Sequence, residues 1–172
     1  MTLRPLIRLA LPALAILATS CTGYHLGASK PAQMREVHTV AVPNVKNLTL
    51  QPRIDVHFTN ALISRLQEDG TYRVARAGAA DAVVECAITK IERRQLRSAR
   101  FNTLRSRELG LRVMVEYKVI DLRSQKLLQR GVAQGETTVF ADANFQNAER
   151  QALPEAADAA AADLVSRLAE GW

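Results

Sequence analysis

Apolar and polar residues alternate most cleanly between positions 104 and 121. Leu109, Leu111, Val113, Val115, Tyr117 and Val119 fall on one face. Arg112, Glu116 and Lys118 fall on the other, with Met114 and Ile120 mixed in. A period of two over that length predicts an antiparallel strand with one buried face. Residues 82–97 predict the strand before it and residues 126–140 the strand after it, across a turn at 121–125. Gly131 and Gly135 are expected to mark bulges in the last of these. Upstream, 37–42 is a β-rich run stopped by Pro43, 44–51 a loop, 72–76 a short strand and 78–81 a turn.

The period lengthens to that of a helix in two places. After Pro52, a residue suited to a first helical turn, the positions Ile54, Phe58, Ala61, Leu62 and Leu66 make one stripe, and Asp69-Gly70 stops it. Near the C-terminus Leu153, Ala157, Ala160, Ala161, Leu164 and Leu168 make a second stripe. It is rich in Ala, so that the helix can approach a sheet closely, and Pro154 should kink it or start its main part. Two amphipathic helices and a sheet with a single apolar face imply an α/β fold. The expected form is a two-layer sandwich, with two helices on one face of a mixed, mostly antiparallel sheet of about four to five strands. Both helices should cover the face that carries Leu111, Val113, Val115 and Tyr117.

The first residues follow neither period. Arg4 and Arg8 precede a short apolar run, residues 9–18, and the small residues Ala18, Thr19 and Ser20 lead directly to Cys21. This is a signal peptide pattern, too short to be a typical membrane span. The stretch Leu17-Ala18-Thr19-Ser20-Cys21 resembles a bacterial lipobox, with Ala18 where Leu is commoner, and makes Cys21 the expected lipid attachment residue. The chain then divides into a signal peptide (1–20), a lipidated tether (21–35) and one α/β domain (36–172). Thr22 follows the cysteine where enterobacterial lipoproteins kept in the inner membrane carry Asp, which favours the outer membrane.

Composition adds a sign to this picture. The 172 residues carry a formal charge of +6, and removing 1–20 takes away two arginines and no acid, leaving +4. That suits anionic partners. Aromatics are only 5%, so the core must rest on Leu, Val, Ile and Ala. The two cysteines are too few for a disulfide framework. Cys86, in an apolar run, reads as a small core residue.

Catalytic patterns are missing from the sequence. There is no HExxH, CxxC, GxSxG or P-loop spacing, and His25, His38 and His57 stand far apart. No enzyme activity, metal or cofactor is expected. Asp142, Glu149, Glu155, Asp158 and Asp163 are expected to form the solvated face of the last helix.

One segment stands out. Residues 93–112 hold Arg93, Arg94, Arg97, Arg100, Arg105, Arg107 and Arg112 against the single acid Glu108, with Phe101 and Leu104 near the middle. The period of two puts Arg105 and Arg107 in the row of Leu109 and Leu111. An apolar row thus turns cationic where the hairpin outgrows the helices. Arginine forks pair well with phosphate, and arginines around an apolar tip suit an amphiphile with anionic head groups. The other reading of the same charge is a solvated hairpin edge protected from aggregation. Nucleic acid would use such charge too, but a secretion signal with a lipid anchor argues against it.

The mature chain resembles the LptE family of lipopolysaccharide-assembly lipoproteins. The matching stretches are Cys21-Thr22-Gly23-Tyr24-His25-Leu26, Val40-Ala41-Val42-Pro43-Asn44 with Asn47-Leu48-Thr49, and Thr59-Asn60-Ala61-Leu62 through Asp69-Gly70. Ala80-Asp81, Glu149 to Leu153 and the closing Leu168-Ala169-Glu170-Gly171-Trp172 continue the series. Their order and spacing, not any single residue, carry the resemblance. It implies a two-layer α/β sandwich and a non-enzymatic role. Members of that family plug the β-barrel protein LptD at the outer membrane and help it place lipopolysaccharide in the outer leaflet. The arginine hairpin would then be a site for phosphorylated sugar head groups. The strand, Pro-Asn, Asn-x-Thr and helix also resemble the periplasmic domain of lipoprotein activators of penicillin-binding proteins and of curli-secretion lipoproteins. The long third and fourth strands and the ending Glu170-Gly171-Trp172 favour the LptE-like choice.

Overall fold

The computed structural model describes residues 30–97, 107–141 and 145–171. Among these residues six strands form one sheet: β1 (Thr39–Ala41), β2 (Lys46–Asn47), β3 (Arg73–Val74), β4 (Ala82–Arg97), β5 (Arg107–Asp121) and β6 (Leu127–Ala141). Two helices, α1 (Ile54–Asp69) and α2 (Phe145–Glu170), cover one face. The strand order is β3-β1-β4-β5-β6, with β2 also paired to β4. β1 runs parallel to β3 and β4, and β4, β5 and β6 form an antiparallel meander. The two-layer α/β sandwich read from the pattern is the fold, with β2 added from the stretch expected to be loop.

The buried rows follow the predicted periods. Leu111, Val113, Val115, Tyr117 and Val119 of β5 meet Phe58, Leu62 and Leu66 of α1 and Ala157, Ala160, Ala161, Leu164 and Leu168 of α2 in one core. Cys86 belongs to that core, and burial pushes its thiol up to about 12, which makes it inert. Gly70 closes α1 at φ 73°, a left-handed turn that suits glycine, and its N–H donates to the Leu66 carbonyl at 3.2 Å. Pro154 does not start the last helix, which begins at Phe145 and continues through it.

The glycines of β6 do not mark bulges. Gly131 pairs with Tyr117 and Gly135 with Val113 in unbroken register, and the irregularity lies between Val119 and Ile120. Close approach is what Gly135 serves. A Cβ there would stand 2.2 Å from the Ala156 carbonyl oxygen and 2.2 Å from the Ala160 nitrogen of α2. The small side chains of α2 and the missing one on β6 let the two backbones touch, so the Ala-rich stripe and Gly135 are one packing device.

The domain is polarised. At a base end lie Lys30, the start of β1, the β5–β6 turn and the end of α2. At the far end lie the limits of β4 and β5 at Arg97 and Arg107, and the first residues of both helices.

Candidate functional site

In the first half of β4 the even positions face the helices: Ala82, Val84, Cys86 and Ile88 are all buried. The register with β5 then slips between Ile88 and Lys90, with Ile88 opposite Val115 and Lys90 opposite Met114. A bulge at Thr89 adds one residue and inverts the alternation. Beyond it Ile91 pairs with Val113 and Arg93 with Leu111, so odd positions now face the helices. Arg93 therefore enters the covered face, and Arg94, opposite Gly110, falls on the open one.

On the covered face Arg93 forms an ion pair with Glu149, in the first turns of α2. Gln51 Nε2 donates to the same carboxylate oxygen at 3.4 Å. Glu149 is only 7% exposed, so it is not part of the solvated face where its neighbours in sequence suggested it. It continues the stripe of Leu153 and Ala157 back by one turn, which puts it against the sheet. A buried carboxylate needs such partners, because its desolvation would otherwise cost several kcal/mol, roughly. The other acids vary. Asp158 receives the Arg65 fork, with Nε at 3.1 Å. Asp163 receives Arg167 Nε at 2.9 Å, and Glu155 the Thr137 hydroxyl at 3.1 Å. Asp142 lies outside the described residues.

A cavity of about 690 Å³ opens beside the Arg93–Glu149 pair, lined in part by Gln51, Arg53, His57, Arg93, Glu149 and Arg150. Its three arginines against one carboxylate leave two net positive charges. Arg53 sits at φ 64°, just ahead of α1, and no side chain among the described residues caps the first turn of that helix. The free N–H groups of the first turn give that end of the helix a partial positive charge. This corner can hold an anion. His57 is on its wall. His38 is elsewhere, at the base, where its Nδ1 lies 3.0 Å from the Glu36 carbonyl oxygen.

A shallower cavity of about 510 Å³ lies on the open sheet face. Lys46, Lys118 and Arg130 there stand against Glu85 and Glu116, and Lys118 is paired with Glu85 at 2.8 Å. Its charge is nearly balanced. Across the same face Arg112 donates to Glu136 at 2.8 Å and Lys90 is paired with Glu92 at 2.6 Å.

Of the arginines singled out in the sequence, Arg93 and Arg94 are thus brought to opposite faces of the hairpin root. Arg97 pairs with Glu108 in the β4–β5 ladder, and Arg107 with Ala141 in the β5–β6 ladder. Arg100, Arg105 and the lipid-attachment candidate Cys21 lie outside the described residues. Sequence reading missed Glu149, Arg53 and Arg150 as neighbours of this cluster. The stripe extended by one turn was the available signal for Glu149, and nothing in the pattern marked the other two.

Solved structures share this architecture at low identity. A hypothetical protein, CT253, from Chlamydia trachomatis is 12% identical with a TM-score of 0.56, over 78% of this chain and 96% of its own. Protein XCC0632 from Xanthomonas campestris is 10% identical with a TM-score of 0.56, over 78% and 85%. A minor lipoprotein from Acinetobacter baumannii is 12% identical with a TM-score of 0.50, over 77% and 91%. At such identities they establish the fold alone. No curated protein matches the sequence significantly. The family does emerge from the sequence itself: residues 37–168, nearly all of the α/β unit, match the model for LptE, lipopolysaccharide-assembly, and the chain belongs to that family.

Proposed function

We propose that the protein is an outer-membrane lipoprotein that binds a large β-barrel translocon of the LptD kind and supports the assembly of lipopolysaccharide into the outer leaflet. The observation that carries this reading is the family match over 37–168. The LptE family is a non-enzymatic family of lipopolysaccharide-assembly lipoproteins, so the work of the fold is to bind and position rather than to make or break bonds.

The polarity of the domain supports the reading. Residues 1–20 act as the signal peptide and Cys21 carries the acyl chains. The tether from Cys21 to Lys30 spans at most about 30 Å when extended. It reaches the domain at the base end, where Lys30 Nζ donates to the Val37 carbonyl at 2.8 Å and lies 4.6 Å from the centre of the Tyr72 ring. The opposite end carries Arg94 and the strand limits at Arg97 and Arg107. With Arg100 and Arg105, their neighbours in sequence, these are the residues proposed to meet phosphorylated head groups. Arg93, already engaged by Glu149, braces the root of the hairpin against α2. Arg53, Arg150 and the first turn of α1 add to the same field.

The test is a mild-detergent pull-down of tagged protein from outer membranes, followed by mass spectrometry. A stoichiometric large β-barrel is expected. Recovery of a cell-wall synthase instead would overturn the reading and favour the penicillin-binding-protein activators.

A further inference from the structure

The sheet has one long open edge. β6 is the last strand in the order, and among the described residues it pairs only with β5. Such an edge is a template for another strand unless something blocks it. β6 has neither proline nor lysine to serve as a block. Three of its apolar side chains, Leu127 at 46%, Val132 at 43% and Phe140 at 60%, are exposed to solvent.

What does stand at the edge is a carboxylate from α2. The Gln134 N–H, which faces away from β5, donates to Asp163 Oδ2 at 2.9 Å. The same oxygen receives Arg167 Nε at 2.9 Å, one turn further along the helix, which fixes its direction. Thr137 Oγ1 donates to Glu155 at 3.1 Å, and Gln129 Nε2 to the Arg167 carbonyl at 3.2 Å. By the alternation of an antiparallel ladder, the N–H groups of Val132 and Glu136 face outward with that of Gln134. Neither has a hydrogen-bond partner among the described residues. The carboxylate of Asp163 sits in the middle of this row, where an incoming strand would have to place a carbonyl.

We propose that Asp163 is a latch on the open edge of the sheet, and that the partner it excludes is β6 of a second copy of this chain. Charge selects that partner. An antiparallel pair of β6 strands centred on Ala133 puts Arg130 opposite Glu136 twice, once on each side, where it joins Arg112 on that carboxylate, and Val132 opposite Gln134. With Asp163 in place the row is broken at its centre and the chain stays single. With it removed, the free donors on both sides pair with the carbonyls of the other copy and the sheet continues across the two domains.

The experiment is sedimentation velocity on the purified full chain in mild detergent, with Asp163→Ala and Arg167→Ala beside the wild type. The wild type should run as one copy and D163A as two, with R167A between them because it loosens the latch without removing it. Adding Arg130→Glu to D163A should return it to one copy, since Glu then faces Glu136. The exchange Arg130→Glu with Glu136→Arg on the same background should restore two. If D163A folds, by circular dichroism, and remains a single copy, the latch is overturned. A D163A dimer indifferent to R130E would overturn the β6 pairing. If D163A does not fold, R167A decides: a single copy indistinguishable from wild type refutes the latch.

Discussion

The two ends of this domain treat charge in opposite ways. At the base one carboxylate, Asp81, is surrounded by donors that match it. Asp81 accepts from the His38 N–H at 3.1 Å, the Thr39 N–H at 3.0 Å, the Thr39 hydroxyl at 2.8 Å and Arg123 at 2.9 Å. These bonds, the Thr39 hydroxyl first, hold its carboxyl down at about 2. The Tyr72 hydroxyl donates to the Leu168 carbonyl at 2.7 Å, and burial pushes its pKa up to about 12. Among the described residues around the far-end cavity cations outnumber anions, and one buried carboxylate, Glu149, holds Arg93 while Arg53 and Arg150 stand around it. One end closes its carboxylate with its own donors, and the other keeps surplus positive charge beside a cavity. In a chain with +4 after residues 1–20, the placement of the excess says more than its size.

The comparison breaks most visibly at Arg93. Arg93→Ala strands the Glu149 carboxylate in the core and should cost about 3 kcal/mol in urea unfolding. Glu149→Ala should cost only about 1 kcal/mol, because the Arg93 side chain is 46% exposed and can turn to water. Equal costs would show that the burial of the carboxylate does not govern this end.

At the base, Asp81→Asn should cost about 1.5 kcal/mol at neutral pH, through weaker bonds to the strand start and to Arg123. The carboxyl is depressed from an unfolded value of about 3.9, so its contribution is complete above that pH and is lost as pH falls through about 2. The gap between wild type and D81N should therefore close between pH 4 and 2, about the span of that shift. A gap independent of pH would mean that shape, not charge, holds the node.

The smallest effect on the fold belongs to the hairpin. Replacing Arg97, Arg100, Arg105 and Arg107 together by Ala should change stability by less than about 0.5 kcal/mol. The same variant should lose binding to anionic lipopolysaccharide micelles at moderate salt. Unchanged binding would remove the hairpin from the proposed function.

Much of this was visible in the sequence because burial imposes a period. The row of β5 from Leu111 to Val119 follows it, as do Ile54, Phe58, Leu62 and Leu66 of α1. Where the backbone departs from the period, the pattern misleads. Extending the even row of β4 past Ile88 would put Lys90, Glu92 and Arg94 inside, whereas the bulge at Thr89 brings in Ile91 and Arg93. The apolar Ile91, three residues after Ile88, was the trace of that slip. Gly135 gave the opposite difficulty. A glycine in a strand signals something close at hand, and only the packed helix shows that it is the α2 backbone and not a bulge. The cationic corner was the least legible part, since it joins residues 51, 93 and 149 through tertiary contact alone.

Gly171, at φ 82°, turns the end of α2 back so that the chain passes directly beside Pro31, with the Pro31 Cγ 3.0 Å from where a glycine Cβ would be. The first and last described stretches of the chain therefore meet at the base, and a side chain larger than hydrogen at position 171 would push them apart.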